Sequence, residues 1–275
     1  MAERPRNFSI NRGHPLARDL VFAGLGNPGG VISKHYQDSS PYCNHGTMIG
    51  MNPSTQWVWT PELGRWAVDF GAANDYIISS RLPRVAGDLS ACLWQKTLTW
   101  PGGTYPGLIG IADTYPTLGF EWFVVGTTGN IDVYQRTALG IELLVFTYVV
   151  PTGVWVHLAM TRRSGVWTLY VNGVLSQSVS PADMAALLTT DYIVLGGLRT
   201  DYPNSTGCQA DHLLYSRAIS SSEIACLANP ANAMLGGLLM PPKRKVFAGM
   251  AIAFPQLVNG GLTNKYGLVT GGLVG

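Results

Sequence analysis

Charge is scarce in this sequence. Lys and Arg number 18 and Asp and Glu 16 in 275 residues, so charged residues are 12% of the chain and the net charge is +2. The near balance leaves no electrostatic footprint for nucleic acid, which requires clustered Lys and Arg. A hydrophobic fraction of 47% argues against a disordered chain. Because soluble surfaces usually carry more charge, we expect a partner to cover part of this one.

Long apolar runs are also missing. A membrane-spanning helix needs about 20 apolar residues in succession, and the two nearest stretches are interrupted. Ile141–Val156 contains Glu142 and Pro151, and Val246–Leu262 contains Pro255. The first residues of the sequence are polar and basic and do not resemble a secretion signal. We therefore expect no membrane partner, and synthesis in the cytoplasm without a signal peptide.

Metal-ligand and disulfide patterns are absent from the four cysteines, which are Cys43, Cys92, Cys208 and Cys226. No pair forms C-x-x-C, and no histidine stands at zinc-ligand spacing. Cysteines in a reducing cytosol are often simply buried, so we interpret all four as buried free thiols. The sequence predicts no metal site and no cofactor.

Short apolar runs follow one another from residue 19 to about residue 228. Gly, Asn and Pro separate them at a spacing of roughly 8–12 residues, which is typical of an all-β sandwich or barrel. Many of the runs are rich in β-branched and aromatic residues, which favour strands. The predicted strands are Leu20–Leu25, Ala67–Phe70, Tyr76–Ser79, Leu89–Thr97, Gly107–Ile111, Phe120–Gly126, Ile131–Tyr134, Ile141–Val150, Trp155–Arg162, Trp167–Val171 and Tyr192–Gly196.

One hairpin signal is sharper than the rest. Asn172 and Gly173 stand between the apolar runs Trp167–Val171 and Val174–Ser176. Both residues tolerate positive φ, so the pair predicts a tight hairpin turn. A second turn at residues 162–165 adds the preceding strand, and together they predict a three-strand meander.

Helix signals are few. Ser220 and Glu223 fit a capping box, in which the hydroxyl and the carboxylate each accept a backbone N–H at the start of a helix. Ala182–Leu188 is a second candidate for a helical turn. So little helix argues against a βαβ architecture.

A longer motif carries a family resemblance. Trp155-Val156-His157-Leu158-Ala159, followed by Leu169-Tyr170-Val171-Asn172-Gly173, resembles the W-x-H-[VL]-A … LYVNG stretch of laminin-G-like, concanavalin A-type jelly rolls. Residues 192–197 and 215–224 resemble the strand and the ending that follow in that family. The resemblance covers roughly residues 20–228. It implies an all-β fold: an antiparallel two-sheet jelly-roll sandwich with extended N- and C-terminal arms. The implied division is an N-terminal arm at 1–18, the laminin-G-like β-sandwich at 19–228 and a Gly-rich C-terminal arm at 229–275.

Motif residues of this family are mostly structural. The resemblance implies that Trp155 and Tyr170 pack the sandwich and that His157 is a hydrogen-bonded structural histidine. It implies that Arg217 ties the last strand to the sheet.

The family's acidic loop before the last strand is eroded in this sequence, where Gly207 and Asp211 remain. Calcium takes 6–8 oxygen ligands, and this loop does not supply such a set. Calcium binding is therefore left as an alternative and not as an expectation.

Catalytic patterns are missing as well. The same fold hosts glucanases, whose two carboxylates flank the sugar bond about 5–10 Å apart. On one strand they would occupy alternate positions, as in E-x-D-x-x-E. Glu62, Glu121, Glu142 and Glu223 stand isolated, and Glu223 belongs to the helix cap. There is no G-x-S-x-G, H-E-x-x-H or P-loop. We predict a protein that is not an enzyme and name no catalytic residue.

The two arms suggest a role in an assembly. Residues 10–22 resemble the start of laminin-G-like domains encoded in bacteriophage genomes, and residues 246–275 are apolar and Gly-rich, with Lys265 as their one charge. Such a segment lies along a neighbour by strand addition, or folds back onto its own sandwich. We predict a bacteriophage virion structural protein, a capsid decoration or cement protein. Its arms would interlock with other virion proteins and sister copies in a homo-oligomeric assembly, and its expected location is the virion.

The alternative is a glycan-binding, lectin-like adhesion module, placed on a tail or fibre. Its partners would be surface glycans, since exposed loops of such sandwiches bind sugars through aromatic side chains. Each candidate aromatic could equally serve local packing, and the sequence assigns no binding residue. The candidates in loop-like stretches are Trp57, Trp59, Trp66, Trp100, Tyr105, Tyr115 and Tyr202.

Overall fold

The computed structural model describes residues 4, 8–26, 34–71, 74–79, 87–99, 104–111, 119–185, 187, 192–198, 207–241, 257–258 and 261–262. The chain forms two compact units, residues 1–241 and residues 242–275. In the second unit the described backbone is a short antiparallel hairpin. The domain boundaries expected after residues 18 and 228 stay predictions.

The first unit consists mainly of β-strands. The strands of the chain are β1 (Ser9–Ile10), β2 (Leu20–Gly24), β3 (His35–Tyr36), β4 (Gly46–Ile49), β5 (Trp57–Thr60), β6 (Arg65–Phe70), β7 (Tyr76–Ser79), β8 (Leu89–Lys96), β9 (Gly107–Ile111), β10 (Phe120–Val124), β11 (Asn130–Thr137), β12 (Gly140–Val149), β13 (Val156–Arg163), β14 (Val166–Val171), β15 (Val174–Val179), β16 (Val194–Leu195), β17 (Gly207–Tyr215), β18 (Leu239–Met240), β19 (Leu257–Val258) and β20 (Gly261–Leu262). The helices are α1 (Pro53–Gln56) and α2 (Ser221–Leu227), and Pro15–Ala17 and Leu235–Gly237 form short 3₁₀ turns.

Two large antiparallel sheets make up the sandwich. Sheet A has the order β15-β14-β13-β8-β17-β6-β5, and β2 pairs with the second half of β17 beside β6. Sheet B has the order β12-β11-β10-β9-β16-β7-β4-β3. The jelly-roll prediction of an all-β, antiparallel fold is confirmed.

The core lies between the inner faces of the two sheets. Phe22, Phe70 and Trp167 of sheet A and Trp122 and Phe146 of sheet B are fully buried there. The indole N–H of Trp167 donates to Gln135 Oε1 at 2.9 Å, so this large side chain is buried without losing its hydrogen bond.

A second apolar layer covers half of the outer face of sheet A. It contains Leu16 and Leu20 from the N-terminal region, Ile224 and Leu227 from α2, and Leu235. β1 also pairs with β18. The described residues of 8–18 and 229–241, which the sequence assigns to the arms, thus pack on the sandwich of their own chain.

Most strand predictions coincide with observed strands, and the meander β13-β14-β15 is confirmed. Its turn residues Asn172 and Gly173 have φ of 49° and 84°, as the hairpin signal requires. The capping box is also confirmed. Ser220 N–H donates to Glu223 Oε2 at 2.7 Å, and Glu223 N–H donates to Ser220 Oγ at 3.3 Å.

Two expectations are wrong. Residues 182–185 form no helix, and Leu187 makes an isolated bridge with Thr137 instead. Of the four cysteines that we expected to be buried, Cys92 is buried, Cys208 and Cys226 are partly buried, and Cys43 is exposed. Strands β4, β5 and β17 are missing from the predicted set, although the family resemblance implied a last strand; in β17, Gln209, Asp211 and His212 interrupt the apolar pattern.

Candidate functional site

One face of sheet B is exposed to solvent along β11 and β12, whereas every residue of the neighbouring β10 is buried. Along β10, Phe120, Trp122 and Val124 point into the core, so the residues between them point outward. The same alternation holds on the two neighbouring strands. The outward residues are Glu121 and Phe123 on β10, Asp132, Tyr134 and Arg136 on β11, and Ile141, Leu143, Val145 and Val149 on β12.

Three aromatic rings form a cluster on this face. Phe123 is buried and stacks on Tyr134, with ring centroids 5.2 Å apart and an interplanar angle of 28°. Tyr105 meets Phe123 edge to face, at 5.6 Å and 86°. Tyr134 is 36% exposed and Tyr105 45% exposed. The cluster therefore presents two tyrosines to solvent on a buried phenylalanine.

A carboxyl group lies beside these rings. Asp132 is paired across the strands with Phe123 on β10 and Val145 on β12. It is only 6% exposed, and within the described part of the chain its Oδ1 has no hydrogen-bond partner. Burial raises the pKa of Asp132 to about 6. A hydroxyl donor reaching Oδ1 would supply the missing hydrogen bond.

Glu121 is the second carboxylate on this face. It lies opposite Tyr134, which makes it a diagonal neighbour of Asp132, and such neighbours are about 7–8 Å apart. From the sequence we interpreted Glu121 as an isolated carboxylate. In the structure Asp132 lies on the neighbouring diagonal, so Glu121 is not isolated and its isolation cannot be used to exclude catalysis. The absence of enzymatic activity stays a prediction.

The site is bounded on the β9 side. A Cβ on Gly110 would come within 2.0 Å of the carbonyl oxygen of Leu198, because the segment 196–198 lies directly over β9. The accessible part of the face therefore lies over β11 and β12, beside the buried strand β10. We call Tyr105, Phe123, Asp132 and Tyr134 the outer-face platform.

On the outer face of sheet A, a buried carboxylate is held by two arginines. Asp211 occupies a bulge in β17 at φ 54° and accepts hydrogen bonds from Arg4 and Arg65, the former at 2.8 Å between Arg4 Nη2 and Oδ2. Burial acts to raise the pKa of Asp211, but the two guanidinium groups hold it well below its usual range. This cluster fastens β17 to β6 and to residue 4, and it offers no acceptor to a ligand.

Arg217 also serves structure. Its guanidinium makes two hydrogen bonds with Glu223, at 2.9 and 2.6 Å, and donates to the carbonyls of Pro15 and Arg18 at 3.2 Å each. It thus ties the end of β17 to α2 and to the N-terminal turn, in agreement with its predicted structural role.

His157 is buried, and burial lowers its pKa to about 3. Its ring meets Trp94 at 5.2 Å, and its backbone N–H donates to Asn172 Oδ1 at 2.9 Å. The expected hydrogen bond of the ring is not found at Nδ1, which has no partner among the described residues. Trp155 and Tyr170, expected to pack the sandwich, are partly buried against the apolar clusters on the outer face of sheet A and do not belong to the core between the sheets.

The predicted aromatic candidates divide into three groups. Trp57, Trp59 and Trp66 lie on strands β5 and β6 and not in loops, and Trp59 packs edge to face on Trp66 at 5.6 Å. Tyr105 belongs to the platform. Trp100, Tyr115 and Tyr202 lie outside the described residues.

Sequence reasoning missed Asp132, Phe123 and Tyr134 as site residues. The signal was available, since an acidic and an aromatic residue alternate with Ile131 and Val133 on β11. Across residues 8–241, as far as they are described, no group of three His, Cys, Asp or Glu side chains is arranged to hold a metal ion. No helix among the described residues is long and apolar enough to span a bilayer.

These features define a class: a jelly-roll sandwich with one partly covered sheet and one sheet that exposes a polar-aromatic face. The chain belongs to the concanavalin A-like lectin/glucanases superfamily. A laminin G family model with that description matches residues 70–225, more than half of the chain. No curated protein matches the sequence.

Solved structures share the fold at low identity. The binding domain of Paraclostridial mosquitocidal protein 1 is 19% identical, with a TM-score of 0.60 over 78% of this chain and 53% of that chain. The ligand binding domain of botulinum neurotoxin serotype D, in complex with N-acetylneuraminic acid, is 17% identical, with a TM-score of 0.59 over 78% and 51%. This chain thus spans about half the length of these toxin domains.

An arabinanase domain is matched over nearly its whole length. Domain 4 of the extracellular arabinanase AbnA from Geobacillus stearothermophilus, in complex with arabinotriose, is 21% identical. Its TM-score is 0.57, over 77% of this chain and 98% of that chain. At these identities the likeness shows a shared fold.

Proposed function

We propose that this chain is a non-enzymatic, glycan-binding, lectin-like module and that the outer-face platform is its sugar site. The observation that carries the proposal is the position of two half-exposed tyrosines beside a buried carboxyl group on one face of sheet B. Small-molecule sites combine an apolar, aromatic lining with a few placed polar groups, and this face has both.

Sugar chemistry fits that combination. A pyranose or furanose ring has an apolar C–H face, which can pack against the rings of Tyr105 and Tyr134. Its hydroxyl groups are donors, and Oδ1 of Asp132 is an acceptor with no partner among the described residues. Phe123 supports both tyrosines from below and so keeps the rings in place before a ligand arrives.

Two structural neighbours support the proposal. The arabinanase domain and the neurotoxin serotype D domain are each in complex with a sugar. Fold alone does not establish function, so the platform is the main support for the proposal and the neighbours are additional support.

A place in a bacteriophage virion, as a capsid decoration protein or on a tail or fibre, stays a prediction of the sequence. A decoration protein that adheres to glycans would combine both functions. The described residues of 8–18 and 229–241 contact their own sandwich. Interlocking with other virion proteins or sister copies would therefore depend chiefly on residues 242–275.

A glycan array followed by calorimetric titration of the best-bound glycan tests the sugar site. We expect Tyr134→Ala to weaken binding by at least about tenfold, as truncation of a central aromatic residue does at binding sites. The matched control is Tyr42→Ala, a 52% exposed tyrosine in the turn between β3 and β4. It should leave the affinity unchanged. Failure of the wild-type chain to bind any glycan at high protein concentration would contradict the proposal.

A further inference from the structure

The platform carries an uneven distribution of charge. Asp132 lies at its centre, between Phe123 and Val145, and Glu121 lies on the neighbouring diagonal. A carboxyl group with a pKa of about 6 is mainly ionised at pH 7.5. Asp132 therefore places a negative charge beside the two tyrosines, and the buried Glu121 lies on the neighbouring diagonal.

The nearest cation on the same strand face is offset from this centre. Arg136 lies two residues beyond Tyr134, opposite Ile141 of β12. Four residues along a strand separate Arg136 from Asp132 by about 13 Å. Glu121, opposite Tyr134, is a diagonal neighbour of both. Arg136 is thus a neighbour of both Tyr134 and Glu121, whereas Asp132 lies farther from it along the strand.

Uncharged and acidic sugars would meet this surface differently. An ionised carboxylate only accepts hydrogen bonds, and the hydroxyl groups of an uncharged sugar donate them. The carboxylate of a sialic or uronic acid has no proton to donate at neutral pH, and like charges held close together in a partly desolvated site repel. The two sugar-bound neighbours represent both classes, arabinotriose and N-acetylneuraminic acid.

We propose that the outer-face platform takes uncharged, hydroxyl-rich oligosaccharides and discriminates against sialic and uronic acids, with Asp132 as the specificity-determining acceptor. This inference rests on the proposed function and adds the class of sugar. Negative charge at the site acts as a repulsive element, which is how many sites achieve specificity.

The first measurement compares pairs of glycans that differ only in a terminal sialic acid, together with arabinotriose, on the wild-type full chain. We expect the uncharged member of each bound pair to bind at least roughly tenfold more tightly. Equal or tighter binding of the sialylated member would overturn the inference while leaving the glycan-binding function in place. Binding of no glycan of either class would overturn the function itself.

The second measurement uses Asp132→Asn, which keeps the shape and removes the charge. Loss of a charge-assisted hydrogen bond should weaken binding of the uncharged sugar roughly 10- to 100-fold, and the gap to the sialylated partner should narrow. The charge control is Glu62→Gln, an exposed carboxylate beside Lys96 in the region of sheet A. It should change neither affinity. Unchanged affinity and selectivity in Asp132→Asn would overturn the inference.

The variant Arg136→Gln tests the competing explanation, in which Arg136 determines the class of sugar that binds. Affinity for the uncharged sugar should persist in this variant. If the wild type binds acidic glycans and Arg136→Gln loses that binding, then Arg136 and not Asp132 sets the class, which also overturns the inference. Thermal melting of each variant verifies that the sandwich remains folded.

Discussion

Each sheet has a buried carboxyl group on its outer face, and the surroundings of the two groups shift their pKa values in opposite directions. On sheet A, Asp211 is enclosed by Arg4 and Arg65, and their charges hold its pKa well below the usual range. On sheet B, Asp132 is enclosed by apolar side chains and its pKa rises to about 6. On sheet A the buried carboxylate is neutralised by arginines of the same chain, and on sheet B the buried Oδ1 of Asp132 has no hydrogen-bond partner among the described residues.

The difference distinguishes a structural face on sheet A from the proposed binding face on sheet B. Polar groups that are buried almost always find partners within a folded chain. Where one does not, and lies beside solvent-exposed aromatic rings, a ligand is a natural partner. The same residue type therefore has a stabilising role on sheet A and a costly one on sheet B.

Removing a partner on sheet A should have the largest effect on stability. Arg65→Ala leaves Asp211 buried with a single guanidinium, and breaking such a buried pair destabilises a protein by about 3–5 kcal/mol. Urea unfolding followed by tryptophan fluorescence measures it. The control Arg163→Ala, at the exposed end of β13, should change the free energy of unfolding by less than about 0.5 kcal/mol. A small effect of Arg65→Ala would mean that the paired cluster is dispensable.

Neutralising Asp132 should have the opposite sign. Burial raises its pKa from 3.8 to about 6, so the folded state binds more protons than the unfolded state between those values. Stability then falls as the pH rises through this window, and the penalty is complete above it. Asp132→Asn should therefore increase the free energy of unfolding at pH 8, by about 2 kcal/mol, and not at pH 4.

The free energy of unfolding is compared between the wild type and Asp132→Asn at each pH. Contributions from titratable groups that both proteins contain, including Glu121 and Arg136 on the same face, then cancel. A destabilised Asp132→Asn at pH 8 would show that this carboxylate makes a stabilising interaction and would remove the contrast with Asp211. An Asp132→Asn protein that is more stable at pH 8 and has lost sugar binding would strengthen the contrast between Asp132 and Asp211.

The smallest effect is expected at the cap of α2, which covers sheet A. Ser220→Ala removes the hydroxyl of the capping box and should cost about 1 kcal/mol. Ser221→Ala, one residue later, should cost little. Neither change should alter glycan affinity, since α2 packs on the outer face of sheet A. A Ser220→Ala variant with weakened sugar binding would indicate that the two faces are coupled.

Local signals in the sequence account for much of the fold. The turn at Asn172 and Gly173 and the cap at Ser220 and Glu223 depend on neighbours within a few residues, so they could be predicted and are confirmed. Strand β17 depends on distant partners. His212, for example, hydrogen-bonds to Tyr36 at 2.8 Å, and a single-sequence pattern gives no indication that this polar residue would be buried.

The proposed binding face was harder to predict than the strands that form it. The sequence placed strands at 120–126 and 131–134, but their outward residues gained meaning only from what covers them. The N-terminal region and α2 pack on sheet A, and the exposed outward residues of sheet B lie on β11 and β12. Which outer face is covered depends on long-range packing of apolar side chains such as Leu16 and Ile224. The periodicity of residues along one strand gives no information about such packing.

The pairing of β17 has a consequence for how the molecule is made. Leu20 of β2 lies against Tyr215 at the far end of the sandwich sequence, and β17 also supplies the neighbour of β8 and β6. Sheet A therefore cannot close until almost the whole first unit has left the ribosome. Folds dominated by such distant pairings fold slowly. During synthesis, the apolar residues of β2 and β8 stay exposed until β17 is available to pair with them. The chain is expected to need chaperone protection until residue 215 emerges.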